Sequence, residues 1–338
     1  MSAELSLESI QQLPKIELHL HLETSLRLRR IALARPASPP EERDPYLVAD
    51  PAKFTGYDRL RRLRYARRGA SVPDALYTEE NIERITYDLL ADAARQQVRY
   101  IEVRVGGRRG FTLLGMRRML EAMSRAAARA QQSLGIRTGF IVTIVRERGP
   151  EEAMTRVREA HACRECGVVG VDLAGDEANY SPTLFARALA TAREAGLGIT
   201  VHAGEFAGPA SIWTALYQLG AQRIGHGIRA AEDPELLAYL REKRITLEVC
   251  PSSNLRLGLS ASLATHPLRR LLESGVAVTI NSDDPLLLGT DISKEIFAVA
   301  STFALSRVQV IEFLTAGARA AFQPSADRTH LESTVMAR

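Results

Sequence analysis

Cysteine is scarce in this chain, and its scarcity excludes two ways of stabilising a fold. Three cysteines among 338 residues are too few for a disulfide framework. Cys163 and Cys166 form a Cys-x-x-Cys pair, but no second pair follows to complete a structural zinc site. We therefore expect buried or half-buried structural thiols, with a metal or redox role as the alternative.

Long apolar runs and linker segments are also missing. No stretch is apolar enough to cross a bilayer, and the first residues lack the basic and apolar regions of a secretory signal. Hydrophobic residues make up 46% of the chain and charged residues 25%, which is typical of a folded protein with a full core. We therefore expect a single domain over residues 1–338, in the cytoplasm and without a membrane partner.

Arginine carries almost all of the positive charge, because lysine occurs only four times. The net charge is +4, and one cluster comprises Arg59, Arg61, Arg62, Arg64, Arg67 and Arg68. Nucleic-acid or membrane binding is one interpretation of this cluster. Its alternation with leucine and tyrosine favours an amphipathic helix with a solvated face, so we expect no nucleic-acid partner. A third interpretation is an anion-binding rim over an active site.

Apolar runs rich in β-branched residues recur along the chain, and stretches with helical periodicity separate them. The runs predict strands at Ile16–Leu22, Val98–Val105, Thr138–Val145, Val168–Leu173, Gly198–His202, Arg223–His226, Thr246–Cys250 and Val276–Ser282. Helices are predicted at Leu113–Leu134, Pro150–Cys166, Pro182–Ala195, Pro209–Leu219, Pro234–Lys243 and Pro267–Ser274. Several of these helices begin with proline, which a first turn tolerates well.

Eight buried strands that alternate with helices predict a parallel sheet covered on both faces. Eight units in a chain of this length favour an α/β fold of the (β/α)8 TIM-type barrel class, with extra helices over the barrel mouth at about residues 27–80. A doubly wound open sheet is the alternative. No Gly-x-Gly-x-x-Gly follows the first strand to support the dinucleotide site of such a sheet.

Four of the seven histidines close predicted strands. His19 and His21 end the first strand, His202 the fifth and His226 the sixth, and Asp283 ends the eighth. Active sites of such barrels lie at these C-terminal strand ends. His19 and His21 project from the same face because they are two residues apart. With His202 and Asp283 they supply three nitrogens and one oxygen, a set that suits zinc and leaves a position for water.

Three further polar residues beside these ligands predict hydrolysis, since water on such a metal ionises near neutral pH. Glu205 follows His202 in a glycine-containing turn and can donate a proton to the leaving side. His226, between two glycines, can approach the water, and Asp284 can accept a hydrogen bond from it. Considered alone, Glu205 would indicate a helix N-terminal carboxylate, and the sequence around Asp284 would indicate an Asx turn.

Five strings resemble the adenosine deaminase family, in order, over about residues 14 to 322. They are PKIELHLHLE at 14–23, VHAGE at 201–205, IGHG at 224–227, EVCPSSN at 248–254 and NSDDP at 281–285. The string DLAGDE at 172–177 resembles a further family segment that is expected to shape the pocket wall, with a simple turn as the alternative. Cytidine-type deaminases carry a Pro-Cys-x-x-Cys string that this chain lacks.

The resemblance implies an aminohydrolase that removes the 6-amino group of an adenine-type nucleoside and converts adenosine to inosine and ammonia. It implies one Zn²⁺ per chain, held by His19, His21, His202 and Asp283. Glu205 would protonate ring N1, His226 would orient and activate the hydroxide, and Asp284 would bind the water and the purine N7. Glu23 would lie near the sugar, and the Gly204 amide would contact the ring.

Two departures from the family concern the substrate. Thr24 stands where relatives usually have glycine, and a β-branched residue narrows both the backbone conformations and the space there. The arginine cluster replaces an apolar, phenylalanine-rich helix over the sugar. Arginines at that place would suit a distal carboxylate or phosphate. Deamination of 6-aminodeoxyfutalosine in menaquinone biosynthesis, whose nucleoside carries a benzoate, is therefore the main alternative to adenosine, and free adenine is another.

Two other classes of protein remain as alternatives. A binuclear barrel hydrolase would need a bridging lysine, and no lysine ends a predicted strand. A catalytically inactive ligand-binding barrel would not need the full set of acid, base and ligand residues that this chain retains. The sequence leaves open the oligomeric state and the choice between zinc and another divalent metal.

Overall fold

Eight parallel strands form one sheet in chain order in the computed structural model, which describes residues 5–33, 72–106 and 108–337. The strands are β1 (Lys15–His21), β2 (Val98–Val105), β3 (Arg137–Val145), β4 (Val168–Ala174), β5 (Gly198–Ala203), β6 (Arg223–His226), β7 (Thr246–Val249) and β8 (Val278–Ile280). Each strand pairs in parallel with the next one. Helices surround the sheet, so the predicted (β/α)8 barrel is confirmed.

The barrel closes where the chain after β8 meets β1. The Asp283 N–H donates to the His19 carbonyl at 3.0 Å, and the His21 N–H donates to the Asp283 carbonyl at 2.8 Å. The Asn281 side-chain oxygen accepts the N–H groups of Leu18 at 3.0 Å and His19 at 3.1 Å. A side chain thus replaces part of the backbone ladder, and the closure holds the predicted ligands Asp283, His19 and His21 side by side.

The helices alternate with the strands and cover the outside of the barrel. In the described ranges the α-helices are α1 (Leu7–Gln11), α2 (Thr24–Leu33), α3 (Glu79–Arg95), α4 (Arg108–Leu114), α5 (Met116–Leu134), α6 (Gly149–Ala162), α7 (Ala186–Glu194), α8 (Pro209–Tyr217), α9 (Pro234–Lys243), α10 (Pro251–Arg256), α11 (Leu268–Glu273), α12 (Pro285–Leu288), α13 (Ile292–Phe303), α14 (Arg307–Ala320) and α15 (Ser325–Met336). Short 3₁₀ helices lie at Asp74–Leu76, Arg146–Arg148, Arg164–Cys166, Pro182–Phe185 and Ile228–Glu232. None of these helices is both long and apolar enough to cross a membrane.

Several element boundaries differ from the sequence prediction. The helices predicted at Pro150–Cys166 and Pro182–Ala195 each include a 3₁₀ segment, and two further differences have a visible structural cause. The helix predicted at Leu113–Leu134 is divided by Gly115, whose φ of 80° ends α4 before α5 begins. The eighth strand is shorter than predicted, because Ser282 leaves the ladder and donates its N–H and its hydroxyl to the buried carboxyl of Glu17. Polar side chains at the end of β8 therefore take over bonds that a longer strand would make.

Part of the region predicted to cover the mouth lies within the described residues. Helix α2 follows β1 directly, the 3₁₀ helix at Asp74–Leu76 comes next in the described part, and α3 begins at Glu79. The arginine cluster at residues 59–68 lies outside the described residues. The interpretations of that cluster therefore stay predictions.

Charged side chains form one network inside the barrel. Arg104 pairs with Asp172 at 3.2 Å and with Glu248, and Arg223 pairs with Glu248 at 2.6 Å and with Glu102. All five side chains are almost completely removed from solvent. Buried charges persist only when they are paired in this way. Because the network reaches the strand ends, it is in a position to hold side chains of the mouth.

The two cysteines of the Cys-x-x-Cys pair are buried free thiols. Cys163 follows α6, and Cys166 ends the 3₁₀ helix after it. Burial raises the pKa of Cys163 to about 11, so this thiol is protonated at neutral pH. These properties agree with the expectation of structural thiols.

Candidate active site

The predicted site residues lie at the C-terminal ends of β1, β5, β6 and β8. They are His19, His21, His202, Glu205, His226, Asp283 and Asp284, and all except the half-buried His21 are buried. The ring centroid of His19 lies 4.6 Å from that of His202, 4.8 Å from that of His226 and 5.5 Å from that of His21. Imidazoles from three strands therefore face one small volume at the barrel mouth.

The Nε2 atoms of two histidines approach one carboxylate oxygen. Asp283 Oδ1 lies 3.4 Å from His21 Nε2 and 3.8 Å from His19 Nε2. Ligand nitrogens of His19, His21 and His202 lie within 4.8 Å of one another. Two ligand atoms on a tetrahedral ion at about 2.1 Å are about 3.4 Å apart, so the spacing suits a metal with zinc-like bond lengths.

Carboxylates fix the orientation of two of these rings from behind. His19 Nδ1 lies 3.1 Å from Glu248 Oε2, and His202 Nδ1 lies 3.0 Å from Asp172 Oδ1. Because an ionised carboxylate only accepts, each Nδ1 carries the proton and each Nε2 presents its lone pair. His19 Nε2 is buried and makes no hydrogen bond to any described residue. This donor set fits a divalent metal.

The electrostatics of the site keep the ligands in metal-binding protonation states. Burial lowers the pKa of His19 well below its usual value, and the nearby Arg104 lowers it further. Burial alone would raise the pKa of Asp172, but His202 and Arg104 outweigh it and hold this pKa well below its usual range. The imidazole of His19 is therefore neutral, and the carboxylate of Asp172, which holds His202, is ionised.

Glu177 shapes the turn that carries Glu205. Its carboxylate accepts four consecutive backbone N–H groups, from Gly204 at 2.6 Å, Glu205 at 3.1 Å, Phe206 at 2.7 Å and Ala207 at 3.0 Å. The turn begins at Gly204, whose φ of 70° favours glycine and whose added Cβ would clash with Ile212. Glu205 is thereby held with Oε1 3.5 Å from His226 Nε2.

A hydrogen-bonded relay fixes the tautomer of His226. The Leu268 N–H donates to His266 Nδ1 at 3.0 Å, so His266 Nε2 carries the proton and donates to Asn254 Oδ1 at 3.2 Å. The Asn254 amide in turn donates to His226 Nδ1 at 3.3 Å. His226 therefore carries its proton on Nε2, which faces Glu205. Burial lowers the pKa of His226 well below its usual value, and this keeps the ring neutral.

Cys250 is a further group that could ligate a metal, although it was not predicted to be a ligand. Its Sγ lies within 4.8 Å of ligand atoms of His19, His226 and Asp283. The thiol donates to the Glu248 carbonyl at 3.6 Å, and burial raises the pKa of Cys250 well above its usual value. A cysteine binds a metal as the thiolate, and the raised pKa keeps Cys250 protonated. The ligand set that contains His21 and His202 therefore fits a metal better than the set that contains Cys250.

The residues predicted to contact substrate make bonds within the protein. Glu23 accepts the N–H groups of Leu286 at 3.0 Å and Leu287 at 2.8 Å, at the start of α12. Burial, followed by the charge of Asp284, raises the pKa of Glu23 to about 8. Thr24 is buried at the first position of α2, and the positive φ of this junction belongs to Glu23 (52°). The substrate contacts of Glu23 and Gly204 stay predictions.

Four supporting residues were not assigned these roles from the sequence. Glu248 and Asp172 lie 229 and 30 positions from the histidines they hold, and His266 lies 12 positions from Asn254. Glu248 and Asn254 belong to the string EVCPSSN and Asp172 to the string DLAGDE, and their membership of these family-like strings was the available signal. His266 carried no signal, because a lone histidine between two predicted elements is usually a surface residue.

Comparison with known proteins identifies the relatives of this site. Residues 14–338 match the adenosine deaminase family. The chain is 35% identical over 319 residues to an adenosine deaminase of Klebsiella pneumoniae subsp. pneumoniae, covering 92% of this chain and 94% of that one. It is 36% identical over 321 residues to an aminodeoxyfutalosine deaminase of Streptomyces coelicolor, covering 93% and 81%.

A solved structure of similar fold is an amidohydrolase of Burkholderia ambifaria with bound Zn. Its TM-score is 0.82 and its sequence identity 26%, with 99% of this chain and 97% of that one covered. The family match spans nearly the whole chain, and the strands that carry the matching strings are those that form the site. The chain therefore belongs to the adenosine deaminase family, and it is an aminohydrolase.

Proposed function

We propose that this enzyme is a metal-dependent deaminase that replaces the 6-amino group of an adenine-type nucleoside with oxygen, with adenosine as the first candidate substrate. One observation carries the proposal. Carboxylates hold His19 and His202 through Nδ1 and leave both Nε2 lone pairs for a metal, while His19 Nε2 lies 3.8 Å from Asp283 and Glu205 lies 3.5 Å from His226. This is the arrangement that hydrolysis at a ring carbon requires, with ligands, an acid and a water-orienting group around one point.

We assign the metal to His19, His21, His202 and Asp283, and we propose one Zn²⁺ per chain. Three nitrogens and one oxygen form a catalytic ligand set that leaves a position open for water. Two of the three histidines are also held by a carboxylate on the opposite side of the ring. When bound, the metal would acidify water so that a hydroxide nucleophile is available near neutral pH. The zinc-bound relative supports this choice of metal.

Glu205, His226 and Asp284 would carry the proton transfers. Glu205 would donate a proton to ring N1 as the water oxygen bonds to C6. The amino group would then take up the proton removed from the water and leave as ammonia as the C6–N bond breaks, while the remaining hydroxyl proton returns to Glu205 and C6 becomes a carbonyl. The His226 Nε2–H, set by the relay from His266, would orient the attacking oxygen. Asp284 would accept a proton from the water and hydrogen-bond the purine N7.

Glu23 and Gly204 would complete the substrate site. Glu23 lies at the junction of β1 and α2, and burial followed by the nearby charge of Asp284 raises its pKa, which supports a position close to Asp284. We propose that it hydrogen-bonds the sugar. The Gly204 N–H now donates to Glu177, so contact with the ring would require Glu177 to yield this bond.

A second candidate substrate is 6-aminodeoxyfutalosine. Two observations favour it. The similarity to the Streptomyces coelicolor relative matches the similarity to the adenosine deaminase, and the six arginines at 59–68 would suit a benzoate carboxylate. Adenine is a third candidate.

An ammonia-release assay of the metal-loaded protein tests the proposal. The panel is adenosine, 2′-deoxyadenosine, adenine and 6-aminodeoxyfutalosine, with metal content measured on the same preparation. We expect release from at least one compound and one equivalent of zinc. Two equivalents would support a binuclear hydrolase, and a zinc-loaded protein that releases no ammonia from any 6-aminopurine would refute the deaminase.

A further inference from the structure

A second cavity lies at the opposite end of the barrel from the candidate active site. Its volume is about 460 Å³, and it opens where β6, β7 and β8 begin. Arg223 at the start of β6 belongs to this cavity, whereas His226 at the end of the same strand belongs to the site. Three residue steps along a strand separate them by about 10 Å. A volume of this size accommodates a nucleotide-sized ligand.

The described residues that line this cavity include five arginines and no carboxylate. Arg241 lies in the last turn of α9 and Arg244 directly follows it, while Arg319 extends from α14 and Arg328 from α15. The fifth is Arg223, at the inner wall. Positive charge in a concave surface attracts anions strongly, because the surrounding protein focuses the field.

Three of these arginines form no ion pair with the described residues. Arg223 pairs with Glu102 and Glu248, and Arg319 pairs with Glu332. Within the described ranges, Arg241, Arg244 and Arg328 form no ion pair. Elsewhere on the described surface many arginines pair with a carboxylate, as Arg125 and Arg129 do with Glu83. The cavity thus holds unpaired cations that an anion would satisfy.

Apolar groups form part of the cavity wall between the arginines. Alanines and the ring of Phe322 line it, and the Arg223 guanidinium carbon lies 3.6 Å from the centre of that ring. The cation therefore stacks on the aromatic face and is held in place by two carboxylates behind it. A basic rim around a partly apolar wall suits a ligand that has several negative charges at one end.

We propose that this cavity binds a small molecule carrying a di- or triphosphate group, at one site per chain that is separate from the active site. Arginine binds phosphate through paired N–H donors, and Arg241, Arg244 and Arg328 could engage several phosphate oxygens together. A nucleoside triphosphate and inorganic polyphosphate share this chemistry. The apolar part of the wall would distinguish them by adding contacts to a base.

Titration calorimetry of the metal-loaded protein tests the site. The probes are inorganic tripolyphosphate and uridine triphosphate, which has no exocyclic amine for a deaminase to remove. We expect binding of one equivalent that weakens at least about tenfold between 50 and 300 mM salt, because screening reduces charge attraction. Tighter binding of uridine triphosphate would identify a nucleotide ligand, and equal binding would identify recognition of the phosphates alone.

Matched substitutions at the rim separate this site from phosphate binding at the active-site metal. Arg241→Gln and Arg328→Gln should each weaken binding at least about fivefold, and together should abolish it. Arg158→Gln, on the exposed face of α6 outside the cavity, should bind as the unmodified protein does. Absence of binding, or binding that the double variant leaves unchanged, would overturn the proposal. Thermal unfolding without ligand confirms that each variant is folded.

Discussion

At the scale of the residue, three side chains of the site lie on strained backbone. Glu23, His226 and Asp283 have φ values of 52°, 59° and 60°, a region that non-glycine residues rarely occupy. Such conformations cost about 1–3 kcal/mol each and persist where surrounding bonds hold them. Asp283 is held by two backbone bonds to β1, and Glu23 by two bonds to α12. The strain sits where strands end and side chains must turn toward one point.

Glu205→Gln should remove the proposed proton donor and leave the metal site intact. We expect kcat to fall at least about 100-fold, since general acid catalysis contributes about 10²–10⁴. Steady-state kinetics with the best substrate and zinc analysis check this. Glu194→Gln, an exposed residue at the end of α7, is the control and should retain full activity. Full activity of Glu205→Gln would remove Glu205 from the mechanism.

The structure contains two alternative groups of possible metal ligands, one that includes Cys250 and one that includes His202. His202→Ala should lose most of the bound zinc, because it removes a nitrogen that Asp172 orients toward the site. Cys250→Ala should retain about one equivalent, because a protonated thiol contributes no ligand. Elemental analysis after dialysis against a weak chelator measures both. If Cys250→Ala loses zinc and His202→Ala keeps it, the assigned ligand set is wrong.

At the scale of the element, loops outside the strands determine the geometry of catalytic groups. The turn at 204–207 is folded around the Glu177 carboxylate, and the segment before α11 reaches His226 through Asn254. Neither device belongs to the barrel itself. The barrel strands determine the backbone positions of the catalytic residues, and the loops determine the orientation and the protonated nitrogen of their side chains.

His266→Leu should disturb the orientation of His226 without touching substrate. The variant removes the proton that His266 donates to Asn254, so Asn254 is free to turn and the His226 tautomer is no longer fixed. We expect kcat to fall about tenfold or more while KM changes less than about twofold. His266→Gln keeps a donor toward Asn254 and should recover part of kcat. Equal kcat in the unmodified protein and in His266→Leu would exclude the relay.

The same histidine should make the fold sensitive to acid. Burial lowers the pKa of His266 from 6.5 to about 4. Between pH 6.5 and pH 4, His266 is therefore protonated in the unfolded chain but neutral in the folded protein. Stability contributed by neutral His266 is present above pH 6.5 and is lost as the pH falls to 4. The loss amounts to about 3 kcal/mol in the free energy of unfolding.

Urea unfolding at pH 7 and pH 4.5 measures this effect. His266→Gln cannot titrate, so its free energy of unfolding should fall less between the two pH values than that of the unmodified protein. Identical falls in both proteins would show that His266 does not cause the acid sensitivity.

At the scale of the whole molecule, the sequence predicted the barrel and the residues that gather at the candidate site, but it did not predict the side chains that support those residues. The strands and the histidines that end them can be recognised locally, because an apolar run that ends in a polar residue occupies only a few consecutive positions. The bond from His19 to Glu248 spans 229 positions and exists only once the barrel has closed. Burial of Arg104 was equally invisible, since an isolated arginine in a strand gives no indication of its partners.

Glu248 links the core network to the candidate metal site, so its removal should affect the whole protein. It accepts from His19, Arg104, Arg223 and Thr200. Glu248→Gln leaves two buried arginines with less negative charge, and we expect the free energy of unfolding to fall by about 3–5 kcal/mol. We also expect zinc affinity to weaken about 10–100-fold, because His19 loses the group that orients it.

Glu102→Gln separates these two effects. Glu102 pairs with Arg223 in the same network and accepts from Tyr100 at 3.0 Å, but it does not contact His19. Its substitution should destabilise the fold to a similar extent and leave zinc affinity within about twofold. Denaturant unfolding and competition with a chelator of known affinity give both quantities for each variant. If the two variants lose zinc equally, the metal responds to stability of the barrel as a whole and not to the bond between Glu248 and His19.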